Sequence, residues 1–295
     1  MIVITGATGH VGGGIADILL TAGGQIRVIG RSMERLQPLV DRGAEAFPGD
    51  MSDPGFLTRA FSGAEALFTL IPPNLQAENL RSYQRKIIDS IVTAVRDSGV
   101  RYVVNMSSIG ADLTEGTGPV LGLRDLEERL NAIPGINVVH LRAGYFMENL
   151  YGTASMIPSG FFGYSLKGDL KVPYIATRDI STVASKYLMY QDFSGVNVRE
   201  LLGQRDVTMD EIAKIIGKAM RHPKLKYTQV PYEVALKAMT DSGISPDVAR
   251  SFVDLSRTAN DGRLYGKLKR TPESTTTTSI EDFVKVLVTS IKKAA

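Results

Sequence analysis

Gly6, Gly9 and Gly12, in the run Thr5-Gly6-Ala7-Thr8-Gly9-His10-Val11-Gly12, have the residue type and spacing that hold phosphate groups. Gly6 lets the chain reverse, Gly9 lets the backbone approach a pyrophosphate, and Gly12 lets the following helix pack close to the preceding strand. The helix start offers unpaired N–H groups and a positive dipole end to phosphate oxygens. Thr8, His10 and Val11 therefore border the ligand together with the three glycines. A tight strand-to-helix turn without a ligand would need the same glycines, so context decides. An apolar run, Met1-Ile-Val-Ile4, precedes the motif, apolar residues at helical spacing follow it, and Ile26-Arg-Val-Ile29 supplies a second strand at βαβ distance. The expectation is a dinucleotide site with the GxxGxxG spacing.

The end of the second strand selects the dinucleotide. NAD-selective folds place an acid there for the ribose 2′-hydroxyl, whereas this chain has Gly30-Arg31-Ser32. The planar donor fork of Arg31 suits a 2′-phosphate, and Arg35 stands about one helical turn on to join it. NADP(H) is expected in preference to NAD(H). Asp50 and Met51 follow the third strand and are placed near the adenine, with turn capping the competing role for Asp50. Ile71 and Pro72 are expected to pass over the adenosine ribose.

Composition narrows the remaining chemistry. With 34 basic and 31 acidic residues, a formal +3, no global charge argues for nucleic acid or an anionic membrane. The basic run Arg263, Lys267, Lys269 and Arg270 is read as a solvated face. Absence of cysteine excludes disulfides, thiolate nucleophiles and zinc–thiolate sites, and His10, His140 and His222 lack ligand spacing, so no metal site is expected. A strand beginning at Met1 leaves no room for a signal peptide, and no apolar run has the length of a membrane span. Cytoplasm is the expected location.

Strands and helices alternate to about residue 145, the pattern of a doubly wound parallel sheet. Helices are expected at about 33–41, 54–61, 80–98 and 124–132, and strands at 44–47, 66–71, 102–106 and 137–142. Gly- and aromatic-rich loops follow at 152–168, then a capped helix at 178–188, a short strand at 199–202 and a helix opened by the capping box Thr208 to Glu211. Residues 232–270 read as helices with loops, and Ser279 caps a final helix. The fold class is α/β: a Rossmann-type doubly wound parallel sheet with a smaller, mainly helical C-terminal substrate subdomain. The NAD(P)-binding core spans 1–150 and is completed by about 173–203; 151–172 and 204–279 form the annex, and 280–295 the C-terminal helix. The cleft between core and annex is the natural substrate site.

With the glycine turn, Gly30-Arg31-Ser32, Gly49-Asp50 and Leu141-Arg-Ala-Gly-Tyr-Phe-Met-Glu-Asn149 in order, the chain resembles the NmrA-like branch of atypical short-chain dehydrogenases/reductases. The last run is similar to that family's LRPxxFMEN, with Ala143 in place of proline. The Arg270-Thr-Pro-Glu273 run is similar to the end of family members, so the resemblance covers nearly the whole chain. It implies NADP(H) binding and one of two activities: reduction of quinones, triphenylmethane dyes or other conjugated molecules, or non-catalytic sensing of NADP(H) through a protein partner. The oligomeric state is left open.

The chain departs from the wider family at the Tyr-x-x-x-Lys pair. If Glu127 marks the family's glutamate, those positions fall on Pro119 and Leu123, which cannot transfer a proton, and Arg124 is the nearest cation. Catalysis would then rest on orienting an electrophilic acceptor such as a quinone. Ser107, next to Ser108, falls where the family's site serine lies. It either bonds a substrate oxygen or finishes the strand. Tyr145 is the one residue with a transferable proton in the set Tyr145, Phe146, Met147, Met156, Phe161, Phe162 and Tyr164. That set lines either a pocket for a flat ligand or a packed join between core and annex. His140 is read as a buried structural residue.

Overall fold

The computed structural model describes residues 1–294, and Ala295, the end of the expected 280–295 helix, lies outside the described residues. Its centre is a seven-stranded sheet in which every pairing is parallel. The strands are β1 (Ile2–Thr5), β2 (Ile26–Gly30), β3 (Glu45–Pro48), β4 (Ala66–Thr69), β5 (Tyr102–Ser108), β6 (Asn137–Ala143) and, after three short strands, β10 (Val196–Leu201). Their order is β10-β6-β5-β4-β1-β2-β3. The chain therefore winds one way from β1 and then the other, and the crevice opens at the C-terminal end of β1, where Gly6 stands.

On one sheet face lie α1 (His10–Thr21), α2 (Met33–Val40) and α6 (Thr177–Tyr190), sharing a core with Ile4, Val28, Phe68 and Val104. The other face carries α3 (Pro54–Phe61), α4 (Leu80–Ser98) and α5 (Val120–Asn131), packed on Val3, Leu67, Val103 and Val138. A Cβ at Gly12 would sit 2.4 Å from the Gly6 carbonyl oxygen, and one at Gly14 2.5 Å from Ser181 Oγ. Glycine at these two places lets α1 lie against both β1 and α6. Ser181 Oγ then donates to the Val11 carbonyl at 3.0 Å.

α5 begins four residues before the expected start at 124. Pro119 occupies its N-cap without a side-chain cap, so no capping residue marks the start in sequence. Gln84 of α4 supplies the anchor instead, donating to the Pro119 carbonyl at 2.7 Å while occupying the space beside Gly122.

A second core holds the rest of the chain. Here β7 (Tyr145–Phe146), β9 (Val172–Ile175) and β11 (Asp206–Val207) form one small sheet, and β8 (Phe162–Tyr164) and β12 (Tyr227–Gln229) another. The stretch expected as loops contains a 3-10 type helix, Met147–Ser159, and β8. Around them are α7 (Met209–Ala219), α8 (Tyr232–Asp241), α9 (Pro246–Asn260) and α10 (Ile280–Ala294). The segment 173–203 divides: β9 pairs with β7 and β11, α6 packs on α1, and β10 joins the main sheet beside β6. Among the described residues no helix is long and apolar enough to cross a membrane.

One buried carboxylate ties the approach to α10 onto the first core. Asp179 accepts from the Thr278 hydroxyl at 2.6 Å and from the Thr278 N–H at 3.0 Å. Replacing Asp179 by alanine should orphan both donors and lower the unfolding free energy by about 2–4 kcal/mol. Urea unfolding of Asp179→Ala measures it.

Candidate functional site

Gly6 adopts φ +62°, and the turn closes through the Gly9 N–H bonded to the Gly6 carbonyl at 2.9 Å. Gly9 is the N-cap of α1 and brings no side-chain cap, so the first N–H groups of the helix, from His10, Val11 and Gly12, face the crevice without a side-chain partner. Ser32 caps α2 by accepting from the Arg35 N–H, and the Arg35 guanidinium reaches back to the Thr8 carbonyl at 3.2 Å. These bonds join the end of β2 to the glycine turn. Arg31 is exposed and has no ion-pair partner among the described residues.

Two residues placed near the adenine by sequence are otherwise engaged. Asp50 Oδ1 accepts from the Ser52 N–H at 2.9 Å, the turn-capping role, and Met51 is buried in the core under α3 and α4. Ile71 packs against that core, and the Pro72 carbonyl accepts from the Tyr83 hydroxyl at 2.9 Å. Burial raises the Tyr83 phenol, while the nearby Arg31 opposes the shift and Asp50 adds to it. Tyr83 thus joins Arg31, Asp50 and Pro72 at one end of the crevice. Sequence reasoning passed over it as one residue of a long amphipathic helix.

The expected catalytic groups are committed elsewhere. Ser107 is buried and donates to Glu127 Oε1 at 2.5 Å. Glu127, only 5% exposed, also accepts from Arg142 at both oxygens, Nε to Oε1 at 3.0 Å and Nη2 to Oε2 at 2.6 Å. This bidentate pair spends the Ser107 proton on structure. Ser108 donates to the Ile109 carbonyl, Pro119 caps α5, and Arg124 donates to the Asp112 carbonyl and pairs with Glu128.

Tyr145 packs edge-to-face on Tyr174, with ring centroids 5.3 Å apart, beside the second core. Burial and the neighbouring phenols of Tyr164, Tyr265 and Tyr227 push its pKa well above the ordinary tyrosine range. Losing a proton there leaves a poorly solvated phenolate. Met147 and Phe162 lie inside the second core and Phe146 packs on the first, so these residues make the join rather than an open pocket. Met156 and Phe161 stay partly exposed.

A cleft of about 200 Å³ opens instead where the N-terminus of α1 meets that of α6. His10, Glu148, Arg178, Tyr151 and, from α10, Phe283 and Val286 line it. Glu148 Oε1 accepts from the Thr177 hydroxyl at 2.6 Å and the Thr177 N–H at 3.0 Å, capping α6. Its Oε2 is buried with no hydrogen-bond partner. Glu148 stood in the sequence only as a letter of the strand-six motif, and Arg178, Tyr151 and Phe283 carried no signal of their own. A second cavity, about 260 Å³, lies away from the glycine turn near Lys171, Asp206 and Tyr265. Arg270 borders it, paired with Asp206 and donating to the Leu202 and Gly203 carbonyls, which corrects its reading as part of a solvated basic face.

A model of the NmrA-like family matches residues 1–285. The chain is 26% identical to an NAD(P)H azoreductase of Xenophilus azovorans over 277 residues, covering 93% of each. It is 27% identical to quinone oxidoreductase 2 of Escherichia coli, covering 97% of this chain and 99% of that one. Among solved structures, the triphenylmethane reductase of Citrobacter sp., complexed with NADP(H), superposes with a TM-score of 0.83 at 20% identity, covering 97% of this chain and 100% of that one.

His140 gives this region a pH signature. Its ring is held between Asn105 and Asn131 at 3.0 and 2.8 Å, and burial lowers its pKa from 6.5 to about 4, against the opposing pull of Glu127. The unfolded chain takes up this proton near pH 6.5 and the folded chain only near 4, so folded stability is lost as pH falls across that window. The slope should reach about 1.4 kcal/mol per pH unit, and His140→Gln should remove that part. Urea titrations at several pH values test it.

Proposed function

The chain belongs to the NmrA-like family, and we propose that it is an NADP(H)-dependent reductase of a small conjugated acceptor such as a quinone. The observation that carries this reading is Arg31 at the end of β2, without an ion-pair partner among the described residues, together with an α1 N-terminus that has no side-chain cap. The residues present fit the cofactor. A pyrophosphate needs close backbone approach and free N–H donors, which the glycine turn supplies. A 2′-phosphate needs a cation that is not held in an ion pair, which Arg31 supplies, with Arg35 held one turn away by Thr8.

When bound, NADPH supplies a hydride. The chain's own contribution is placement. The N–H groups of α1 hold the phosphates, Arg31 and Arg35 fix the adenosine end beside Tyr83, and the annex walls the other end. Since Ser107 is bonded to Glu127 and the Tyr145 phenol is pushed up, neither activates an unreactive carbonyl. The substrate class that suits such a site is one electrophilic by conjugation, for which orientation lowers the barrier. The names of the azoreductase, quinone oxidoreductase and triphenylmethane reductase relatives support that class.

The test is calorimetric titration with NADPH, NADP, NADH and NAD, followed by absorbance decay of NADPH with a panel of quinones. Acceptor-dependent oxidation supports the reductase. Tight NADPH binding without turnover favours a regulatory protein instead. Arg31→Ala should weaken NADPH binding by about 1.5–3 kcal/mol, the scale of a charge-assisted bond, and leave NADH almost untouched. Equal losses for both cofactors would remove the 2′-phosphate assignment.

A further inference from the structure

Reduction of a conjugated acceptor leaves an oxyanion that must be protonated, and the residues first expected to do so are spoken for. Ser107 gives its hydrogen to Glu127, and His140 is enclosed between two asparagines inside the first core. His10 differs from both. It is exposed, it is the first residue of α1, and it lines the cleft with Glu148 and Arg178.

The position of this cleft in the fold bears on its use. Arg31, Asp50 and Tyr83 mark the β2–β3 side of the switch point as the adenosine end. α6, the opposite wall of the cleft from His10, packs over β4, β5 and β6, on the other side. A molecule in the cleft therefore adjoins the phosphate-binding N-terminus of α1 on the side away from the adenosine. The cleft is also amphipathic. Tyr151 and Val286 are 38% and 54% exposed and form an apolar rim, while His10, Glu148 and Arg178 make the polar part. Glu148 Oε2, buried without a donor, calls for one, either from the imidazolium or from a hydroxyl of a bound molecule.

We infer that this cleft seats the reducible acceptor and that His10, with Glu148 beside it, is the acid that protonates the reduced product, an inference that rests on the reductase reading. The cofactor's C–H bond breaks and its hydride joins the acceptor, which is reduced as NADPH becomes NADP. The electron pair moves onto the acceptor oxygen, and that oxygen takes the proton from a ring nitrogen of His10. The exposed imidazole regains its proton from water. The charged residues that line the cleft with His10 are Glu148 from the 3-10 helix and Arg178 from α6; Tyr151 is the other titratable one, and among the described residues α10 contributes Phe283 and Val286. Arg178 supplies a positive charge to the same lining, where an oxyanion would form.

The experiment compares the native protein with His10→Gln and uses menadione as acceptor and a naphthol as a non-reducible mimic of the product. Calorimetry gives the NADPH affinity of the variant, and kcat is compared with each protein saturated in NADPH, so that a change in cofactor binding at the phosphate turn is separated from loss of the acid. In the protein–NADP complex, the naphthol should shift the His10 imidazole NMR resonances. His10→Gln should lower kcat for menadione by about 100-fold at neutral pH. It should also change the pH profile of kcat, which loss of a merely structural side chain would leave as it is. Glu148→Gln should produce an intermediate loss. Native rate and pH profile in His10→Gln would overturn the inference and leave the reductase reading standing, as would His10 resonances unmoved by the naphthol. Failure of the native protein to oxidise NADPH with any acceptor would remove the reductase reading and this inference with it.

Discussion

The close seating of α1 against the end of β1 is the constraint on which the rest of the molecule depends. A methyl group at Gly12 would be 2.4 Å from the Gly6 oxygen, well inside carbon–oxygen contact distance, while Gly13 faces the Ala7 carbonyl and Gly14 faces Ser181. Three consecutive glycines in a helix cost roughly 1 kcal/mol each relative to alanine. The packing they permit offsets that cost on two fronts. The helix end is brought close to the strand, and α6 packs on α1 with Ser181 bonded to the Val11 carbonyl. Any substitution that pushes α1 outward moves the phosphate donors, the His10 side chain and α6 together.

Of three carboxylates outside the adenosine end, Asp179 and Glu148 join the two cores, whereas Glu127 works within the first. Glu127 is buried against Arg142, a bidentate pair whose disruption leaves an uncompensated charge costing about 3–5 kcal/mol. Asp179 has no cation and is satisfied by the hydroxyl and N–H of Thr278. Glu148 uses one oxygen in the same manner, on Thr177, and keeps the other without a partner. Of these three carboxylates, Glu148 is the one that keeps a buried oxygen without a donor.

The doubly wound sheet was legible because each of its signals is local. Apolar runs of four to seven residues and glycines at a turn lie within a few positions of the elements they mark. Arg31 was legible for the same reason, as a departure at a position fixed by the βαβ unit. What escaped was set by contacts between distant segments. The start of α5 is anchored by Gln84 from another helix, the 3-10 stretch after β7 is held by packing in the second core, and Tyr83 of α4 comes near Arg31 only in the folded chain. Ser107 and Tyr145 stand at strand ends as the motifs implied, yet their chemistry depends on Glu127 and on a group of buried phenols that no spacing rule connects to them.

The cleft beside the glycine turn joins residue 10 to residues 283 and 286. Its walls therefore meet only when the first core and the second are both folded and packed on each other. The glycine turn needs far less of the chain, being formed by the end of β1 and the start of α1. Local opening of α10 would widen the cleft and leave the turn beside it in place, so exchange of amide hydrogens in α10 is coupled to access to the cleft and not to the phosphate donors.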